Sequence, residues 1–157
     1  ELMLGDTDVH FVFVGDGAKL PWLKEQVAKR GLTNVTLVGP LPREEQSIFL
    51  NACDVALITF VDGMLGAAVP SRMYNLLAAG KPIVAVVDDE SEVSRVIREE
   101  NVGRCAPGHD PAMLRTAILG LKARPDELED MRHRARSAAE SRYSPATAVA
   151  AYKEALT

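Results

Sequence analysis

The stretch "GAAVPSRMYN" (66–75) gathers the residues best suited to hold an anion. It follows "CDVALITF" (53–60), an apolar run that reads as a strand, so it sits at a strand's carboxyl end, where open α/β sheets bind ligands. The small residues Gly66, Ala67 and Ala68 let a ligand approach the backbone, and Pro70 suits the first position of a helix. The amides of Ser71 and Arg72 then fall among the unpaired donors of a helix N-terminus. Such a terminus favours a phosphate by about 0.3–1 kcal/mol at exposed sites. The Arg72 guanidinium can add a forked, charge-assisted contact, and Asn75 lies one turn further on. An ordinary helix carrying a surface arginine accounts for the same spacing.

Other stretches carry less. "VGDGAKL" (14–20) is a Gly-rich turn between a strand and a helix, but its third fingerprint position is Leu20. The next strand ends "LVGP" (37–40), without the acid that a dinucleotide ribose requires. The turn therefore either borders some other ligand or is a tight turn that needs positive φ. "AAGKP" (78–82) is no P-loop, because Asn75 stands at the first glycine position and Pro82 follows Lys81. Gly80 reads instead as a helix C-cap. Cys53 and Cys105 read as two buried thiols, with no metal-ligand spacing around them. His10, His109 and His133 share no cluster, so no metal or catalytic role is assigned to them.

The elements that must position these residues alternate. Strands are read at 9–15, 34–39, 53–60, 82–87 and 102–107. Helices are read at 20–31, 41–52, 70–80, 91–100, 110–123, 125–143 and 144–156. Ser91, Asp110 and Ser144 stand at N-cap positions, the last two followed by Pro111 and Pro145. The run "VHFVFVG" (9–15) is apolar at nearly every position, as expected of a strand covered on both faces. The order predicts an α/β fold, a Rossmann-like doubly wound parallel sheet with helices on both faces. The helices after residue 110 follow the last strand, so they are expected to pack outside the sheet or to reach toward a partner domain.

The 157 residues suit one domain, and 47% hydrophobic residues suffice for a core. A net charge of −4 excludes a nucleic-acid surface built on clustered Lys and Arg. No run approaches the roughly 18 apolar residues of a membrane span. The opening "ELMLGDTD" carries acids where a signal peptide needs bases, and it reads as the tail of a helix. The chain is therefore expected to be a fragment of a longer one, lacking a first strand.

"FVFVGDG", "NVTLVGPLPREE", "ACDVALITF", "VPSRMYNLLAAGKPIVA" and "SEVSRVIREENVGRCAPGHDPAMLRTAI" resemble, in that order, the C-terminal half of family-4 glycosyltransferases, retaining enzymes of the two-domain GT-B fold. Each motif is short, but five in order with matching gaps cover nearly the whole chain from Val9. The "PSR" form is similar to the branch that transfers amino sugars or deoxysugars in bacterial surface polysaccharides.

The resemblance implies a nucleotide-sugar-binding domain over residues 1–157, with the acceptor-binding N-terminal domain absent. It implies transfer of a hexosyl or N-acetylhexosaminyl group from a nucleoside diphosphate, most simply UDP, to a hydroxyl acceptor, in polysaccharide or glycolipid synthesis. The enzyme is expected to be cytoplasmic, peripheral at the inner membrane face through the missing domain, and this chain alone is expected to be inactive. No cofactor or metal is implied. Gly15, Asp16 and Gly17 would border the phosphates, and the backbone at Val38, Gly39, Pro40 and Leu41 would face the base. Gly66, Ala67, Ala68, Ser71 and Arg72 would hold the diphosphate and sugar, and Asn75 the ribose. The family's Glu-x7-Glu motif would place acids at Ala67 and Asn75, and both are missing here. Asn75 can still donate and accept hydrogen bonds. No catalytic residue is assigned. A GT-B nucleotide-sugar epimerase and a Rossmann-like binding domain without catalysis are the alternatives.

Overall fold

The computed structural model describes residues 3, 6, 8–60, 71–108 and 110–156, which fall into two compact units, through Ser47 and from Ile48. The first unit holds β1 (Phe11–Val14), α1 (Leu20–Arg30) and β2 (Val35–Val38). β1 and β2 pair in parallel, with Phe11 opposite Val35 and Val14 opposite Val38. α1 ends where Gly31 turns left-handed, at φ 59°, and returns its amide to the Ala28 carbonyl.

The expectation that the 9–15 run is covered on both faces is corrected here. Val12 is 58% exposed, and Phe13 and Val14 are exposed too. The physical reason lies in the neighbours of β1. Among the described residues β1 pairs with β2 alone, and α1 buries none of its side chains. Two strands and one helix cannot enclose a core.

α2 (Gln46–Asn51) follows a short 3-10 turn at Arg43–Glu45. The helix read from residue 41 thus starts later than its sequence implies, because Pro42 is extended (φ −55°, ψ 148°) and lies outside the helix. The second unit then alternates β3 (Ala56–Thr59), α3 (Ser71–Ala78), β4 (Ile83–Val86), α4 (Glu92–Glu100) and β5 (Gly103–Ala106). It continues as α5 (Pro111–Lys122), α6 (Pro125–Ser141) and α7 (Pro145–Ala155). The strands pair in parallel in the order β3-β4-β5, with Ala56 level with Ile83 and Ile83 level with Gly103. Among the described residues, the strands form a two-stranded sheet in the first unit and a three-stranded sheet in the second.

Alternation along β4 sorts the core into two layers. Ile83 and Ala85 join Met73 and Leu77 of α3 and Val93, Val96 and Ile97 of α4. Val84 points the other way, to Leu121 of α5 and Met131 of α6. α6 serves both layers, since its Ala135 and Ala139 lie with α3 and α4. Helices thus cover both faces of the parallel sheet.

The caps stand where their side chains imply. Ser91 Oγ accepts the Ser94 amide (3.2 Å), Asp110 Oδ1 accepts those of Ala112 and Met113 (2.9 and 3.0 Å), and Ser144 Oγ accepts that of Thr147 (3.1 Å). α7 buries no side chain and exposes Val149 and Tyr152. Among the described residues, no helix is long and apolar enough to cross a membrane.

Candidate functional site

α3 is divided by its own periodicity. Met73, Leu76 and Leu77 are buried, whereas Ser71, Arg72, Asn75 and Ala78 are exposed. Positions 71, 72 and 75 share one side of a 3.6-residue helix, so core packing leaves all three free. None of their side chains makes a hydrogen bond or ion pair with another described residue. The end of α3 runs through Gly80, at φ 64°, directly into the start of β4. Its first residues therefore lie toward the carboxyl edge of β3, β4 and β5, the ligand-binding edge of such sheets. Gly66, Ala67, Ala68 and Pro70 lie outside the described residues, as does His109.

In the first unit the structure brings two candidate segments together. The Gly15 amide donates to the Val38 carbonyl (3.0 Å), so the turn at 15–17 and the segment 38–41 leave β1 and β2 side by side. Gly15 has φ 128°, which a side chain strongly disfavours. Asp16, Gly17, Gly39 and Pro40 are exposed, and Leu41 is half-buried. Among the described residues, nothing lies within 4 Å of a Cβ built on Gly39.

A polar cleft of about 430 Å³ lies at the other end of α3, lined by Asn51, Cys53, Lys81, Arg132 and Arg136 among others. Its cations have structural work. Lys81, 7% exposed, donates from Nζ to the carbonyls of Asn51 (3.2 Å) and Cys53 (3.0 Å). Arg136 donates to the Ala78 carbonyl at the end of α3, and Arg132 pairs with Asp54 and Glu129. Lys81 and Arg136 thus serve two helix C-termini, where backbone carbonyls are left over. The cleft stands at the amino edge of the strands, away from Arg72. Sequence reading gave Lys81 no role beyond the absent P-loop. Its burial and two carbonyl partners appear only in three dimensions.

The remaining described candidates make local contacts. Cys53 Sγ donates to the Leu50 carbonyl (3.2 Å), and burial pushes its thiol up, as it does that of Cys105. His10 Nε2 contacts Thr36 Oγ1 (2.8 Å), and the exposed His133 lies 3.5 Å from Glu129. Among the described residues, no group of three or more His, Cys, Asp or Glu could hold a metal ion. Tyr143 is a perturbed group to which the sequence assigned no role. Burial, then a hydrogen bond to Glu100, pushes the Tyr143 hydroxyl up to about 12.

Comparison with known proteins identifies the family and the fold. A model of "Glycosyl transferases group 1" matches residues 3–141. The chain is 41% identical over 108 residues to the probable glycosyltransferase WbjE of Pseudomonas aeruginosa, covering 69% of this chain and 27% of that protein. It thus spans about a quarter of that relative's length. Among solved structures, Anabaena HepE in complex with UDP-glucose superposes with a TM-score of 0.74 at 19% identity, over 99% of this chain and 44% of HepE. WaaG, a glycosyltransferase involved in lipopolysaccharide biosynthesis, superposes with a TM-score of 0.67 at 18% identity, over 85% of this chain and 34% of WaaG. The fold is of the GT-B type. With a family model matched across most of its length and a parallel α/β architecture to go with it, the chain belongs to the glycosyl transferases group 1 family.

Proposed function

We propose that this chain is the donor-binding domain of a retaining, family-4 type glycosyltransferase, and that α3 is its diphosphate- and ribose-binding helix. The observation that carries the reading is the exposed side of α3, where Ser71, Arg72 and Asn75 have no side-chain partner among the described residues. A guanidinium and a serine at a helix start, near the carboxyl edge of a parallel sheet, fit a doubly charged leaving group.

In this reading Arg72 and the first amides of α3 stabilise the charge that grows on the nucleoside diphosphate as the sugar leaves. Asn75 bonds the ribose hydroxyls. Gly15, Asp16 and Gly17 border the phosphates, and the backbone of residues 38–41 faces the base. UDP is the proposed carrier, which the UDP-glucose bound to HepE supports by analogy. The transferred group is a hexosyl or N-acetylhexosaminyl unit, delivered to a hydroxyl in polysaccharide or glycolipid synthesis. WaaG, which is involved in lipopolysaccharide biosynthesis, supports that setting by analogy. An N-terminal domain binds the acceptor, and the enzyme works in the cytoplasm at the inner membrane face. The 157-residue chain alone then transfers no sugar.

Calorimetric titration with UDP, ADP, GDP, CDP and dTDP tests the reading. Saturable binding of one nucleotide, weakened by Arg72→Ala, supports it. Equal binding by the wild type and Arg72→Ala leaves Arg72 as a surface residue of an ordinary helix.

A further inference from the structure

Met73, Leu76 and Leu77 turn the apolar side of α3 to the core and set its rotation coarsely. Directional contacts lie on its flank. Tyr74 follows Arg72 by two positions and precedes Asn75 by one, at about 100° of helix rotation per residue. Its ring meets that of Tyr143 at a centroid distance of 5.4 Å and an interplanar angle of 42°. Tyr143 is itself held from behind. Its hydroxyl donates to Glu100 Oε1 on the last turn of α4 (3.1 Å). Glu100, with a side chain only 12% exposed, also pairs with Arg142. A ring pair backed by a part-buried, charge-assisted hydrogen bond adds a directional restraint to the apolar packing of Leu and Met side chains.

Resting on the reading of α3 as the donor helix, we propose that Tyr143 is a positioning residue for nucleoside-diphosphate binding. It acts through Tyr74 to hold the rotation of α3 at which Arg72 meets the phosphates. Tyr143 touches no ligand in this scheme. Its effect is delivered mainly through Arg72.

The test is a double-mutant cycle on UDP affinity, measured by calorimetry on this chain. It uses the wild type, Arg72→Ala, Tyr143→Leu, Tyr143→Phe and the combinations of each Tyr143 variant with Arg72→Ala. All measurements stay well below the thermal midpoint of the least stable variant. Tyr143→Leu removes the ring pair and is expected to weaken UDP binding about three- to tenfold, since small misplacements of binding groups are costly. In the Arg72→Ala background the same change is expected to cost much less, because the main group it positions is gone and only the weaker Asn75 contact remains to be displaced. Tyr143→Phe keeps the ring but loses Glu100, so it shows the same coupling with a smaller loss. It also keeps the test open if the leucine variant fails to fold.

Equal losses in both backgrounds make Tyr143 merely structural and overturn the proposal, as does unchanged affinity in Tyr143→Leu. If Arg72→Ala alone leaves UDP affinity intact, the donor reading of α3 falls first and the positioning role falls with it.

Discussion

Gly103 faces Ile83 across the β4–β5 pair so closely that a Cβ on Gly103 would overlap the Ile83 carbonyl oxygen and lie 2.7 Å from its carbonyl carbon. Both partners are backbone-bound, since the Ile83 amide donates to the Val102 carbonyl (2.9 Å). The strand cannot move away without breaking the pairing. Gly103→Ala is therefore expected to cost about 3 kcal/mol or more, at the upper end for overpacked sites. Urea denaturation checks this. A loss below about 1 kcal/mol would mean that β5 shifts freely.

Charge separates the two roles proposed on α3. Arg72→Ala is expected to weaken UDP binding by about 1.5–3 kcal/mol, as for hydrogen bonds to charged groups, and the loss shrinks as salt rises. Asn75→Ala removes neutral contacts to ribose hydroxyls, so about 0.5–1.5 kcal/mol is lost, with little salt dependence. Affinities at low and high ionic strength read both. Two losses with the same salt dependence would assign both residues to one kind of contact.

Among the described residues, none stands where a side chain on Gly39 would go. Gly39→Val is therefore expected to leave the thermal midpoint within a few degrees. If the backbone of residues 38–41 faces the nucleotide base, UDP affinity nonetheless falls by about tenfold or more, a loss of roughly 1.4 kcal/mol. A stable variant with wild-type affinity removes Gly39 from the site.

The Tyr143 hydroxyl gives the stability curve an alkaline signature. Burial and Glu100 push it up to about 12 from the ordinary 10, so the folded state holds this proton more tightly than the unfolded chain does. The stabilisation is complete below pH 10 and is lost as pH rises through 12. The Cys53 and Cys105 thiols, also pushed up, add losses of the same sign from pH 9 upward. Tyr143→Phe isolates the tyrosine. Its unfolding free energy is expected to fall less steeply between pH 10 and 12 than that of the wild type. Parallel curves would mean that the hydroxyl titrates normally.

The sequence alone determined what depends on near neighbours. The order of strands and helices was legible because apolar spacing and caps act over a few residues, and Ser91, Asp110 and Ser144 each bond the amide expected of them. So was the polar side of α3, since one helical turn decides which of residues 71 to 77 face the core. The start of α2 was misread because Pro42 tolerates both helical and extended geometry. Only the tertiary structure decided the pairing of the described strands into two sheets, the exposure of Val12, and the burial of Lys81 against Asn51 and Cys53. Only the tertiary structure brought Tyr143 against Tyr74 and Gly103 against Ile83. These contacts join residues far apart along the chain. Hydrophobic spacing shows which side of an element seeks cover, but the covering partner is chosen by the close packing of the whole core.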